Sequence, residues 1–177
     1  YVAKRHQTAV KQPLSGWMGH VKPFAFDAQY QGAEGINQYL CGTPSVLAMS
    51  ALDAALDVWQ DVSILQVRKK SIALADIFTQ LIQSQSCLAD LRLRSTNDSQ
   101  QRGSQLAFAH DNAFAICQAL IEKGVIADFR APNILRFGFT PLYNSFEDIW
   151  NAVTILAEVV QSHLYKEPRF NKAGKVT

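Results

Sequence analysis

The hydrophobic pattern breaks the chain into an irregular first quarter and a strongly periodic remainder. Residues 1–6, YVAKRH, read as a short strand, and residues 11–42 hold no sustained period. Pro13, Gly16, Gly19, Pro23, Gly32, Gly35 and Gly42 punctuate that stretch. A structureless loop this long inside a compact domain is functional or depends on a partner. Its aromatic content (Trp17, Phe24, Phe26, Tyr30, Tyr39) argues against disorder.

Periodicity begins abruptly after Gly42. Thr43 suits a helix N-cap and Pro44 the first helical position, and Met49, Leu52, Leu56 and Trp59 succeed them at helical spacing. No linker separates the irregular stretch from the periodic remainder, so this helix is expected to bridge two domains over 46–62. A second helix carries Leu74, Ile77, Phe78, Leu81 and Ile82 on one face. From about residue 88 strands and helices alternate: LRLRS (91–95), SQLAF (104–108), a helix capped by Asp111 or Asn112 and closed by Gly124, VIADF (125–129) and ILRFGF (134–139). A last helix opens at Ser145, with Asp148 as its capping-box partner and Phe146, Ile149, Trp150, Val153, Leu156 and Val160 as its stripe. The polar tail, 166–177, is expected to fray. The predicted class is α+β, with a small domain over 63–165.

Composition adds exclusions. Of the 177 residues 48% are apolar and 18% charged, and the formal charge of +2 is too small to imply nucleic acid. Arg68-Lys69-Lys70 is the one basic cluster and reads as a solvated helix face. No apolar run approaches the roughly 18 residues that cross a bilayer. Cys41, Cys87 and Cys117 form neither a disulfide framework nor a C-x-x-C pair, which suits a reducing cytoplasm. The four histidines have no ligand spacing, so no metal site is expected. No signal-peptide pattern is present, and a chain that opens without Met on a strand is expected to be cut from a longer protein.

Three places carry candidate chemistry. In LSGWMGH, residues 14–20, a tryptophan sits between two glycines. A flat apolar plate with one N–H donor on a bent loop suits a ligand, or a loop that pins itself to its domain. Thr43 followed by Pro44 would leave outward-facing backbone N–H groups at a positive helix end, a phosphate site or a plain cap. On ILRFGFTP, Leu135, Phe137 and Phe139 share one face, which must be core, while Ile134, Arg136 and Gly138 share the other. A guanidinium beside a residue without a side chain suits a bidentate carboxylate, or a structural salt bridge. Arg130 reads as structural, Asp128 as holding a turn or an arginine, and His20 as a supporting donor or a satisfied loop histidine.

PLSGWMGH, YLCGTP and LRFGFTPLYNSFEDIW, in this order and spacing, resemble the C-terminal portion of kynureninase, a pyridoxal-phosphate enzyme of the aspartate-aminotransferase fold type, from Tyr1 to about residue 160. The resemblance implies hydrolysis of L-kynurenine or 3-hydroxykynurenine to anthranilate or its 3-hydroxy form and L-alanine, in tryptophan catabolism and NAD biosynthesis. It implies pyridoxal 5'-phosphate as cofactor and a homodimer. By the same resemblance Trp17 and Thr43 contact the cofactor phosphate, Arg136 binds the substrate α-carboxylate, Met18 lines the pocket for the aromatic ring, and His20 stands with the substrate-binding residues. Residues 1–45 then become the tail of a large cofactor-binding domain, a strand plus an active-site loop, expected to look under-supported alone.

The family's Schiff-base lysine lies in a Tyr-Lys motif upstream of Tyr1, and neither Lys4 nor Lys11 replaces it. No catalytic residue is therefore assigned in this segment, which is expected to be inactive alone. Another enzyme of the same fold type (a cysteine desulfurase or class V aminotransferase) and a non-catalytic paralogue acting through partners are the competing readings.

Overall fold

A computed structural model describes residues 1–172, which fall into two compact units divided between Asp61 and Val62. The first unit is built on turns. The expected strand at 1–6 is instead a four-residue helix, α1 (Lys4–Gln7), with 3-10 turns further on at Trp17–Gly19 and Gly35–Tyr39. Long-range hydrogen bonds decide this local choice. The Gln38 amide donates to the Gln7 carbonyl, and the Tyr39 hydroxyl reaches the Val10 carbonyl at 3.2 Å.

Helix α2 (Val46–Asp57) starts later than expected. Its N-cap is Ser45, whose hydroxyl accepts from the Ala48 N–H, so Thr43 is not the cap and Pro44 lies outside the helix. No α2 residue is buried, and the stripe Met49, Leu52 and Leu56 stands exposed.

The second unit holds α3 (Ile64–Ser84), β1 (Arg92–Leu93), β2 (Gln105–Ala109), α4 (Ala113–Glu122), β3 (Asp128–Arg130), β4 (Ile134–Gly138) and α5 (Phe146–Gln161). The four strands form one antiparallel sheet in the order β1-β2-β4-β3. Register sorts its side chains into faces. Phe108, Leu135 and Phe129 align across β2, β4 and β3 on the core side, and Ala107, Arg136 and Asp128 align one residue later on the other.

The helices supply the rest of the core. Phe78 of α3 packs its ring 4.7 Å from Phe137, 5.4 Å from Phe139 and 6.0 Å from Phe108, and Phe114 of α4 meets Phe129 edge-on at 5.4 Å. Leu74, Ile116, Leu120, Leu156 and Val159 are fully buried around them.

Caps agree with the sequence unevenly. Ser145 and Asp148 form the reciprocal capping box of α5, and the bonds Gly124 N–H to Ile121 O and Val125 N–H to Leu120 O close α4 in a Schellman motif with Gly124 at φ +87°. At the start of α4 neither expected side-chain cap forms. Asn112 is the N-cap residue without a side-chain bond, and its own N–H donates to Nδ1 of His110 at 3.0 Å.

Three further expectations change. Arg68 and Lys70 are not a solvated face: Arg68 donates to the Ser99 and Arg102 carbonyls, and Lys70 to the Pro141 carbonyl at 2.8 Å. The described part of the tail is anchored, since Phe170 is 4% exposed and Arg169 pairs with Glu122 at 2.9 Å; residues 173–177 lie outside the described range. Within the α5 stripe, Ile149, Val153, Leu156 and Val160 are buried but Phe146 and Trp150 are exposed.

Candidate functional site

The Trp17 loop is shaped by contact with its own backbone. A Cβ at Gly16 would fall 1.6 Å from the Cys41 carbonyl oxygen, and one at Gly19 would lie 2.8 Å from the carbonyls of Gln38 and Leu40. Both positions therefore need glycine for close approach. The Cys41 thiol adds a bond to the Leu14 carbonyl at 2.9 Å. This seam sets the loop beside residues 38–41 and brings it within two positions of Thr43, which is exposed.

Trp17 is half covered. Its ring meets Phe24 edge-on at 5.5 Å, and it remains 48% exposed, as Phe26 does at 91%. The Tyr30 hydroxyl donates to the Gly19 carbonyl at 3.0 Å and its ring packs edge-on against His20. Trp17, His20, Lys22, Phe24, Phe26 and Tyr30 line an open cavity of about 470 Å³. Its walls are largely aromatic, and Lys22 and Asp27 are its charged members, a composition suited to a flat ring with a polar edge. Met18 is half-buried in the same turn but does not line that cavity.

His20 is fully engaged inside the loop. Nδ1 accepts the Lys22 N–H at 2.9 Å, which puts the proton on Nε2, facing the Gln29 carbonyl at 3.3 Å. Both ring nitrogens thus hold the turn that carries Trp17.

In the second unit, Arg136 leaves β4 on the face opposite Leu135 and Phe137 and is flanked in register by Ala107 and Asp128. Its Nε donates to Asp128 Oδ2 at 2.5 Å, and Nη2 reaches the same oxygen. Arg130 Nε lies 3.2 Å from that oxygen as well. Asp128 therefore holds two arginines, and the salt-bridge alternative for Arg136 is realised. The side chain is still 27% exposed, and a Cβ at Gly138 would meet nothing within 4 Å. The face beside the guanidinium is open.

The structure gathers Trp17, Met18 and His20 in one turn, with Thr43 near its supporting seam; Arg136 belongs to the other unit. Among the described residues no cluster of His, Cys, Asp and Glu is able to hold a metal ion, and no helix is long and apolar enough to cross a membrane. Cys117 is buried, and desolvation, with Asp128 adding to it, pushes its thiol up to about 11, so it is inert. What sequence reasoning missed is the double engagement of Asp128, which depends on the β3–β4 register.

The four-stranded antiparallel sheet with its helices and the preceding loop is an architecture this chain shares with part of larger solved enzymes. The chain superposes with a TM-score of 0.72 on a cysteine desulfurase from Thermococcus onnurineus NA1, at 15% identity over 92% of this chain and 42% of that one. It gives 0.72 again with a cystine C–S lyase bound to its reaction product cysteine persulfide, at 17% identity over 89% of this chain and 41% of the other. These likenesses define the fold alone.

The family model for the kynureninase C-terminal domain matches residues 67–156, just over half of the chain, and the chain belongs to that family. It is 43% identical over all 177 residues to a kynureninase of Burkholderia mallei, and 40% identical over 168 residues (95% of the chain) to one of Pseudomonas fluorescens. The chain spans about two-fifths of the length of these curated relatives, 42% and 40%.

Proposed function

We propose that this chain is the C-terminal part of a kynureninase, which hydrolyses L-kynurenine or its 3-hydroxy form to the anthranilate and L-alanine. The observation that carries the reading is the 43% identity across the full 177 residues, which takes in both the tryptophan loop and the Arg136 strand. In this reading residues 1–45 are the tail of the large domain, 46–62 bridge it to the small domain, and 63–165 form the small domain.

The residues present fit part of a phosphate cradle. Trp17, half exposed, offers an indole N–H and exposed Thr43 a hydroxyl, next to the close backbone seam at Gly16 and Cys41. With the cap at Ser45, Thr43 would act through its own hydroxyl rather than as the end of the helix. Pyridoxal 5'-phosphate, when bound, supplies the electron sink that carbon–carbon cleavage requires.

The chain's own residues bind and orient. Arg136 would take the α-carboxylate through the N–H groups that Asp128 leaves free, fixing how the reacting carbon lies. Trp17, Phe24 and Tyr30 would wall the aromatic ring and exclude water. Met18, half-buried in the same turn and outside that cavity, would back the turn rather than wall the ring, and His20 would keep the turn in shape through its two bonds.

A cytoplasmic homodimer is part of the proposal. Three free cysteines suit a reducing compartment, and the exposed apolar row of α2 suits coverage by further protein. The test is product analysis with the full-length protein carrying this segment. Anthranilate fluorescence on adding kynurenine supports the assignment. Release of alanine and sulfur from cysteine, without anthranilate, would move the protein to the desulfurases; neither activity in a cofactor-loaded protein would make it a non-catalytic paralogue.

A further inference from the structure

We infer that Asp128 is a positioning residue that aims Arg136 at the substrate carboxylate, gripping one edge of the guanidinium and leaving the other for the ligand. The inference rests on the carboxylate-binding reading of Arg136 above.

The grip is one-sided. Asp128 Oδ2 takes both Nε and Nη2 of Arg136, across the antiparallel β3–β4 pair that puts the two residues opposite each other. A guanidinium is planar, with five N–H donors in fixed directions. Holding its Nε–Nη2 edge therefore fixes the plane and leaves the Nη1–Nη2 edge, whose two parallel N–H bonds match a second carboxylate. Among the described residues Nη1 has no hydrogen-bond partner. Ala107 on the flanking strand and Gly138 two residues along leave room on the sheet face that carries the guanidinium.

Charge favours the same arrangement. An aspartate alone would cancel the cation that the substrate needs. Arg130 reaches the same Oδ2 at 3.2 Å, so the trio of two arginines and one aspartate stays net positive. Asp128 thus orients Arg136 while Arg130 maintains the attraction. The opposing account makes Asp128 a competitor that the substrate must displace, and it predicts the reverse sign.

The test uses the full-length, cofactor-loaded enzyme and its Asp128→Asn, Asp128→Glu and Arg136→Ala variants. Calorimetry measures the affinity of an unreactive kynurenine analogue bearing the α-carboxylate, and of its counterpart lacking that group. Asp128→Asn is expected to weaken the carboxylate ligand about tenfold, or ~1.4 kcal/mol, while the counterpart changes by less than about twofold, so their ratio falls. A purely structural loss would weaken both alike. Unchanged or tighter carboxylate binding by Asp128→Asn would overturn the inference, the tighter case marking Asp128 as a competitor. If Asp128→Asn does not fold, Asp128→Glu decides: its longer side chain displaces the guanidinium, and a wild-type ratio would overturn the inference. Should Arg136→Ala leave the ratio unchanged, the carboxylate reading of Arg136 is what fails.

Discussion

Truncating Phe78 tests how the core holds the strand that carries the candidate arginine. Phe78 is 1% exposed, and its ring faces Phe108, Phe137 and Phe139 at 6.0, 4.7 and 5.4 Å. Phe→Ala in a core costs about 3–5 kcal/mol, and the cost depends on how far neighbours collapse into the hole. Here Phe108 and Phe137 are fixed by the β2–β4 ladder, so collapse is restricted. The three aromatic pairs lost with the ring put this site at the upper end of that range. The expected loss is about 4–5 kcal/mol, a third or more of an ordinary domain's stability. With a urea m-value of about 2 kcal/mol/M the unfolding midpoint moves down by about 2 M. Phe78→Leu, which refills most of the volume, should cost about 1–1.5 kcal/mol. Arg136 alternates with Phe137 on β4, so Phe78→Ala should also weaken carboxylate binding by loosening that strand. A midpoint shift below about 0.5 M for Phe78→Ala would refute the packing account.

Individual groups give three more outcomes. Ser145→Ala removes the capping box of α5 and should cost about 1 kcal/mol in chemical denaturation; no change would mean the box is not formed in solution. His110 is buried, and desolvation outweighs Asp90 and Asp111 to lower its pKa from 6.5. Below that value the unfolded chain binds a proton that the folded chain resists, so this contribution to stability is intact at neutral pH and falls as pH drops. Urea midpoints at pH 7.5 and 5.5 should show a fall that shrinks in His110→Asn, and an equal fall in the variant would contradict the assignment. Iodoacetamide should label exposed Cys41 well before buried Cys117, whose thiol stays protonated at about 11, and mass spectrometry of timed samples reads the order.

The second unit was legible because burial there is periodic. Leu74, Phe78 and Ile82 mark α3, alternation over 135–139 marks β4, and Ser145 with Asp148 marks the start of α5. Where local signals compete, the tertiary contacts decided. YVAKRH has strand propensity, yet its helix is tied to Gln38 thirty-one residues away from Gln7. Thr43 followed by Pro44 has the composition of a cap, yet the Ser45 hydroxyl is the one that accepts a helix N–H. Phe170 sits in a polar tail, and its burial results from docking beside α4 through the Arg169–Glu122 pair. At the candidate site the sequence offered Arg136 two roles, and the register of β3 against β4 shows how one residue combines a salt bridge on one edge with an open edge on the other.

The most direct measurement is the kcat/KM of full-length wild type, Arg136→Lys and Arg136→Ala for kynurenine, with cofactor occupancy read by absorbance in the same samples. If Arg136 holds the substrate carboxylate as proposed, Arg136→Ala removes a charge-assisted pair worth roughly 2–5 kcal/mol when desolvated, so kcat/KM should fall about 30-fold or more with occupancy nearly intact. Arg136→Lys keeps the charge without the fork and should recover only part of that loss. Loss of cofactor or of folding, with kcat/KM spared in the protein that remains, would contradict the account and leave Arg136 a structural partner of Asp128.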